Sequence, residues 1–223
     1  MKLRLFFRAA CAMLAGLILM GLLLFIPAGT LRYPGAWRLL AVLFIPMLIL
    51  GAFLLVKAPG LLEKRLANRE EQPAQKRVVG LSGVMFLAGF IGAGLDFRFG
   101  WTCMPGWLPR AAAIIFLLGY GMYAEVMREN AYLSRTVAVQ DNQKVIDTGL
   151  YGVVRHPMYT ATILMFLSMP VVLGSLISLV CFLPYPLLIA ARIRNEESVL
   201  EAGLDGYAAY KRRVKYRLIP FIF

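Results

Sequence analysis

Apolar residues fall in long, nearly uninterrupted runs along this chain, unlike the alternating or one-sided patterns of soluble strands and helices. Four of these runs occupy residues 9–27, 37–56, 78–97 and 110–127. Each is close to the ~20 residues that a helix needs to cross a hydrocarbon layer about 30 Å thick. The pattern therefore predicts four membrane-spanning helices before residue 130.

A fifth apolar run, at residues 158–191, is too long for one span. Pro170 and Gly174 lie near its middle, and both residue types interrupt helices. The run predicts a helix hairpin, which gives five spans if the hairpin is shallow and six if it crosses the membrane fully. The predicted fold is an all-α, polytopic integral membrane protein with a C-terminal helix hairpin.

Composition and charge agree with a membrane protein. Of the 223 residues, 60% are hydrophobic and 16% are charged, and the formal net charge is +12. The basic residues cluster between apolar runs, which indicates a membrane rather than nucleic acid as the partner. All but four of the 24 Lys and Arg lie on one side of the predicted helices, the exceptions being Arg32, Arg38, Arg98 and Arg110. The positive-inside rule then places the N-terminus, the connection at residues 128–155 and the tail in the cytoplasm.

Other features of the chain are interpreted as structural. The run at 9–27 exceeds the roughly 7–15 residues of a secretory signal core, which predicts an uncleaved first helix. Asp96 and Glu125 lie near span ends, which is typical of residues at the membrane interface or of residues paired with a neighbouring arginine, Arg98 or Arg128. The cysteines are too far apart in the sequence to predict a disulfide framework or a metal site: Cys11, Cys103 and Cys181.

The connection at residues 57–77 has two interpretations. Leu61, Leu62 and Leu66 are spaced to place one face of a short helix on the membrane interface. Alternatively, the connection is a solvated loop.

The only histidine, His156, lies in "GLYGVVRHPMYTAT" at the start of the fifth apolar run. Pro157 suits the first turn of a helix. A backbone N–H at that position has no partner within the helix, so proline loses no hydrogen bond there. The motif therefore predicts a helix that begins at Pro157, with His156 at an N-terminus that favours an anionic ligand. Alternatively, Arg155 and His156 reach lipid headgroups, and Tyr151 and Tyr159 belong to an interfacial aromatic belt.

A second polar cluster, "RIRNEE", follows the last apolar run. Arg192 and Glu196 are four residues apart and share one face if the helix continues, with Glu197 beside them. Alone, such a pair is typical of a weakly stabilising ion pair on a wet helix. The hairpin at 158–191 returns this cluster to His156, so both clusters are predicted to line one pocket where a polar ligand meets an apolar one.

The stretch from about residue 140 to residue 220 resembles the isoprenylcysteine carboxyl methyltransferase family, integral membrane enzymes related to the phospholipid methyltransferases. Four features carry the resemblance together: RHPxY, the apolar hairpin, RxxxEE and a basic, tyrosine-rich tail. It implies S-adenosylmethionine as the methyl donor and a membrane-embedded lipid, or a prenylated small molecule or protein, as the acceptor. It also divides the chain into N-terminal transmembrane helices at residues 1–130 and a cofactor-binding catalytic region at residues 131–223.

The resemblance implies roles for individual residues. Arg192 matches the family arginine that engages the substrate carboxylate. The positions that match family contacts to the cofactor are Gln140, Gln143, Lys144, Val145, Ile146, Tyr151, His156, Pro157, Met158, Tyr159 and Glu196. Two positions depart from the family pattern. Ala161 replaces a common glycine, which predicts an altered pocket shape, and Leu204-Asp205-Gly206 replaces the usual Phe-Gly, which indicates a divergent branch whose acceptor need not be prenylcysteine.

The acceptor decides which residues the chemistry needs. A carboxylate is ionised at neutral pH, so its methylation requires alignment and exclusion of water but no general base. A protonated lipid amine must first lose a proton, which His156, Glu196 or Glu197 would have to accept. Two further classes stay open: a nicotinamide-dependent reductase, since membrane sterol reductases share this C-terminal architecture, and a non-enzymatic membrane protein.

Overall fold

The computed structural model describes residues 2–66, 73–133, 139–140 and 142–222. Within these ranges it is built from helices and contains no strand. Five helical segments are long and apolar enough to cross a membrane: Leu3–Ala28, Pro34–Lys57, Gln75–Phe99, Leu108–Glu129 and Leu176–Gly203. The prediction of an all-α, polytopic membrane protein is therefore confirmed, and the first four segments extend the predicted runs by a few residues.

Nine α-helices and one 3-10 turn follow one another in the described part of the chain. They are α1 (Lys2–Ala28), α2 (Pro34–Lys57), α3 (Pro59–Leu66), α4 (Pro73–Phe99), α5 (Leu108–Glu129), the 3-10 turn (Gly149–Gly152), α6 (Pro157–Leu173), α7 (Leu176–Phe182), α8 (Tyr185–Gly203) and α9 (Tyr207–Arg213). Four of these helices, α2, α3, α4 and α6, begin at a proline. Proline is favoured there because its ring fixes a helical φ and no backbone donor is lost.

The hairpin turns at Gly174, which has a φ of 82° and follows the last residue of α6. Pro170 lies within the last turn of α6 and does not end it. The carbonyl groups at the end of a helix lack partners within that helix. Here the Tyr33 hydroxyl donates to the Leu173 carbonyl at 2.9 Å, and Arg38 Nη1 donates to the Val172 carbonyl at 3.0 Å. The N-terminus of α2 therefore caps the tip of the hairpin.

Asp96 holds the other side of the hairpin tip. Its carboxylate accepts hydrogen bonds from the Thr102 backbone N–H at 2.8 Å and from the Ser175 hydroxyl at 2.5 Å, and it is almost fully buried. Pairing with Arg98, one of the two interpretations of Asp96, is not observed, because the turn after α4 brings the donors of Thr102 and Ser175 to its carboxylate. The companion prediction is confirmed: Glu125 and Arg128 form an exposed ion pair with an N–O distance of 2.5 Å.

Helix α3 packs against the protein rather than against the membrane interface. Leu61 and Leu62 are buried in a cluster with Leu5, Leu54 and Val126. The connection is thus helical over Pro59–Leu66, as one interpretation predicted, but the two leucines face α1, α2 and α5. Residues 67–72 of this connection lie outside the described part of the chain.

Candidate functional site

The RHPMY motif begins α6 as predicted. Pro157 is the first helical residue and His156 occupies the preceding cap position, with its side chain buried. The His156 carbonyl accepts the Tyr159 and Thr160 amides, and its own amide donates to the Arg217 carbonyl at 2.9 Å. Part of the donor capacity at this helix N-terminus is thus used by the chain itself.

Glu197 is the centre of a buried ionic cluster behind the motif. Its Oε1 accepts from Arg155 Nε at 2.7 Å and lies 3.3 Å from His156 Nε2, while its Oε2 accepts from Arg217 Nη2 at 2.8 Å. The side chains of Arg155 and Glu197 are only 5% and 4% exposed. Burying charges is tolerated only when they are paired and hydrogen-bonded. The cluster therefore fixes the start of α6, the end of α8 and the tail relative to one another.

Arg155 also binds the tail directly. Its Nη1 donates to the carbonyl oxygens of Val214 and Lys215, both at 2.7 Å, and its backbone N–H donates to the Tyr216 carbonyl at 2.9 Å. The interpretation that Arg155 reaches lipid headgroups was wrong, because its guanidinium is buried and donates to partners inside the protein. Arg155 instead attaches the tail to the motif.

Tyr159 connects the two predicted polar clusters. Its hydroxyl donates to Glu196 Oε2 and accepts a hydrogen bond from Arg192 Nε at 2.8 Å. Its ring lies beside the His156 ring, with centroids 5.7 Å apart and planes inclined by 28°. Arg192 and Glu196, one turn apart on α8, thus converge on one phenol of α6. The predicted meeting of the two clusters is present in the structure.

These residues line a cavity of about 500 Å³. Its walls come from α3, α4, α6, α8, α9 and the connection between α5 and α6. The lining side chains that bear charge are Arg65, Lys144, Arg155, Arg192 and Glu196, with His156 beside them. Among the described residues of this wall, basic groups therefore outnumber acidic ones.

The cavity runs from an apolar end to a polar end. Along α8 its lining residues extend from Tyr185 and Ile189 through Arg192 to Leu200, which corresponds to about 22 Å at 1.5 Å per residue. The apolar end is completed by Val79, Gly83 and Phe86 of α4 and by Phe166 of α6. A hydrocarbon chain fits the chemistry of that end, and a charged or hydroxylated molecule fits the other.

Tyr151 is held on both sides at the polar end. Asn130 Nδ2 lies 2.9 Å from its hydroxyl, and the Tyr210 hydroxyl donates to its carbonyl at 2.8 Å. Burial raises the pKa of Tyr151 to about 12. The side chain is therefore a neutral phenol at physiological pH, and its ring is fixed against the cavity.

The structure places the sequence-predicted site residues in two groups. Those that line the cavity are Gln143, Lys144, Val145, Ile146, Tyr151, His156, Met158, Tyr159, Arg192 and Glu196. Gln140 and Pro157 are not among its lining residues: Pro157 is fully buried, and Gln140 binds neighbouring side chains and backbone. Their predicted contact with a cofactor stays a prediction that the cavity walls do not support.

Sequence reasoning missed several contributors to the site. Glu197 was placed next to Glu196 in the pocket, whereas it is buried behind the wall. Arg65 and the α4 residues come from the region that the motifs did not cover, and no local signal identified them. Asn130, Tyr207 and Tyr210 also line the cavity. The tyrosine-rich tail pattern was the one available signal for the last two.

The two departures from the family pattern lie in different surroundings. Ala161 is fully buried on the face of α6 that meets α5, where a Cβ on Gly119 would lie 3.2 Å from the Ala161 carbonyl. It does not line the cavity, so an effect on pocket shape stays a prediction without a direct contact to support it. Leu204 does line the cavity, and Gly206, with a φ of 83°, is the cap residue that precedes α9.

Comparison with known proteins supports the sequence interpretation. Residues 112–202 match the model of the isoprenylcysteine carboxyl methyltransferase (ICMT) family, which confirms the resemblance. The chain is also similar to the Delta(14)-sterol reductase of Mus musculus, with 30% identity over 91 residues. That stretch is 40% of this chain and 22% of the mouse protein, so the likeness spans about a fifth of the relative. Residues 112–202, from α5 to near the end of α8, thus carry the similarity to the isoprenylcysteine carboxyl methyltransferase family within an all-α membrane protein.

Proposed function

We propose that the protein is an S-adenosylmethionine-dependent methyltransferase that methylates the carboxylate of an isoprenylcysteine-like lipid. The observation that carries the proposal is the convergence of Arg192 and Glu196 on the Tyr159 hydroxyl, where the lining of the cavity changes from apolar to polar. A site at this boundary can contact a water-soluble donor on its polar side and a lipid acceptor on its apolar side.

The polar end of the cavity fits the chemical groups of the donor. S-Adenosylmethionine, when bound, supplies an activated methyl group on a sulfonium. The faces of Tyr151 and Tyr159 suit a cation or an adenine ring, and Glu196 suits hydroxyl or amino donors. Lys144 and His156 suit the carboxylate of an amino-acid end.

Arg192 is the proposed acceptor clamp. Its planar guanidinium matches a carboxylate, and its Nε hydrogen bond to Tyr159 fixes the plane of the fork. Transfer of the methyl group forms an O–CH3 bond and breaks the S–CH3 bond, and no proton moves. Alignment by Arg192 and exclusion of water by the apolar end are then the contributions required of the protein.

The state of Glu197 favours a carboxylate over an amine acceptor. An amine must lose a proton before it attacks, which needs a free base at the site. Glu197 accepts hydrogen bonds from two arginines and lies beside His156, and Glu196 accepts from Tyr159. Both carboxylates are therefore engaged in the protein's own hydrogen bonds.

Two measurements test the proposed function. Calorimetric titration of the purified protein with S-adenosylhomocysteine is expected to show saturable binding. Incubation of membranes with methyl-labelled S-adenosylmethionine and N-acetyl-S-farnesylcysteine is expected to produce lipid whose label is released by alkali as methanol. Alkali-stable label would indicate an amine product instead, and absence of both binding and transfer would overturn the proposal.

The likeness to a sterol reductase supports one alternative, a nicotinamide-dependent membrane reductase. A parallel titration with NADPH distinguishes the two cofactors. Binding of NADPH without S-adenosylhomocysteine would replace methyl transfer with reduction at the same cavity.

The distribution of basic residues supports a cytoplasmic position for the N-terminus, the cavity and the tail. We include this orientation in the proposal. The division at residue 130 also stays a prediction, although the cavity takes lining residues from both sides of it: Arg65 and Phe86 precede residue 130, and Tyr159 and Arg192 follow it.

A further inference from the structure

Lys64 of α3 binds the connection that leads from α5 to the polar end of the cavity. Its Nζ donates to Gln140 Oε1 at 2.5 Å and lies 3.5 Å from the Ala131 carbonyl oxygen. It also lies over the Tyr132 ring, 5.9 Å from the centroid. One ammonium group therefore contacts three residues of this connection, 67 or more positions away in the sequence.

Gln140 relays this contact into the connection. Its side-chain amide donates to the Tyr132 carbonyl, and its backbone N–H donates to Gln143 Oε1 at 2.9 Å. The Tyr132 hydroxyl donates to the Asn142 carbonyl at 3.1 Å. Gln143 begins the run of cavity-lining residues that continues through Ile146. The hydrogen bonds thus lead from Lys64 through Gln140 to the wall of the cavity.

Helix α3 is itself firmly placed. Leu61 and Leu62 are buried against α1, α2 and α5, and their amides donate to the Ala58 carbonyl at the end of α2. The backbone of Lys64 is therefore held in one position by the packing of α3. Because Lys64 is half-buried, water competes less for its hydrogen bonds than for those of an exposed lysine.

We propose that Lys64 is a positioning residue for the cavity-lining segment at residues 143–146, and that it acts through Gln140. Gln140 then supports the wall instead of contacting the cofactor. The N-terminal helices, which lie outside the matched family region, would thereby set the affinity of the polar end for its ligand. The choice of S-adenosylhomocysteine as the probe rests on the proposed function, whereas the ordering of the segment does not.

The test compares Lys64→Met, Lys64→Arg, Gln140→Met and the Lys64→Met/Gln140→Met double variant in the full chain. Lys57→Met is the matched control, because it removes an exposed lysine from the connection at residues 57–77, which also contains Lys64. Hydrogen exchange is measured over residues 142–146 without ligand, and the S-adenosylhomocysteine dissociation constant is measured by calorimetry.

We expect Lys64→Met to raise exchange in residues 142–146 and to weaken binding by about 5- to 10-fold, in the range for one typical intramolecular hydrogen bond. Lys64→Arg should keep most of the wild-type protection from exchange and most of the wild-type affinity. Lys57→Met should change neither the exchange nor the affinity. The double variant should be no weaker than the weaker single variant, because the two residues act in series.

Three outcomes would overturn the inference: unchanged exchange in Lys64→Met, a general rise in exchange across α1–α5, or additive losses of affinity in the double variant. Should the wild-type protein fail to bind S-adenosylhomocysteine, the proposed function falls, but the exchange measurements still decide the role of Lys64.

Discussion

Arg155 and Glu197, 42 positions apart, form an ion pair with an N–O distance of 2.7 Å inside the protein. Arg217 joins the same carboxylate from the tail, and His156 lies beside it. Glu197 itself does not line the cavity. The cluster nevertheless holds the start of α6 and the end of α8 in the arrangement that brings Tyr159 to Glu196. The site therefore depends on a buried charge that takes no proposed part in chemistry.

Replacing Glu197 is expected to be strongly destabilising. Glu197→Ala removes the carboxylate that buried Arg155 and half-buried Arg217 share, a loss of about 3–5 kcal/mol in the free energy of unfolding. Glu197→Gln keeps an acceptor oxygen and should lose less. Thermal unfolding in detergent measures both. The control is Glu201→Ala, since Glu201 forms an exposed ion pair with Lys211 and should lose at most about 1 kcal/mol. Equal shifts for Glu197→Ala and Glu201→Ala would contradict the structural role.

Arg192→Lys is expected to impair methyl transfer severely while preserving cofactor binding. Lysine keeps the positive charge but lacks the planar fork that aligns a carboxylate and that donates to Tyr159. We expect a loss of about 100-fold or more in kcat/KM for the prenylated acceptor, within the range for misplaced reacting groups. The dissociation constant of S-adenosylhomocysteine should change by less than about 3-fold. Arg194→Lys, on the exposed face of α8, is the control. Full turnover in Arg192→Lys would remove Arg192 from the clamp role.

Gly149→Ala is expected to disrupt the turn before the motif. Gly149 has a φ of 49°, and a Cβ there would lie 1.4 Å from Glu129 Oε1. Glu129 accepts the Leu150 amide at 3.2 Å, so its displacement also loosens the 3-10 turn that carries Tyr151. We expect a loss of about 2 kcal/mol in stability from backbone strain and the displaced carboxylate.

The matched control is Gly121→Ala in α5, where a Cβ meets nothing within 4 Å. Alanine is favoured over glycine inside a helix, so this variant should be neutral or stabilising by up to about 1 kcal/mol. Thermal unfolding of both variants gives the comparison. If both variants stabilised the protein, the contact with Glu129 would not be what excludes a side chain at position 149.

The proposed orientation predicts which cysteine a membrane-impermeant reagent reaches. Cys103 is exposed in the connection between α4 and α5, on the side opposite the tail. In a variant with Cys11 and Cys181 replaced by alanine, a charged maleimide should label Cys103 in sealed right-side-out vesicles. A cysteine introduced at exposed Lys215 should react only after the membrane is opened. Labelling of position 215 in sealed vesicles would contradict the proposed orientation and indicate the opposite one.

The sequence predicted the spans well because membrane helices are specified locally. In hydrocarbon each backbone N–H and C=O must bond within its own helix, so a continuous apolar run suffices to identify a span. The same holds for the start of α6, which Pro157 determines through its fixed φ and missing donor. These features need no knowledge of distant residues.

The candidate site was only partly predictable. The hairpin alone required the motif and RIRNEE to meet, and Tyr159, Arg192 and Glu196 do meet. The helical pattern alone could not show which glutamate faces the cavity, because neighbouring positions on a helix point about 100° apart and the rotation of α8 depends on its packing; only the family resemblance singled out Glu196. That packing turns Glu196 towards Tyr159 and Glu197 towards Arg155.

By itself, then, the sequence determined an all-α membrane protein with a C-terminal hairpin and a polar motif at its mouth. Only the tertiary structure decided that α3 and α4 supply Lys64, Arg65 and the apolar wall, and that Gln140 binds Lys64. The physical reason is distance: periodicity and composition describe neighbours along the chain, whereas a cavity wall joins side chains whose sequence separation carries no local signal.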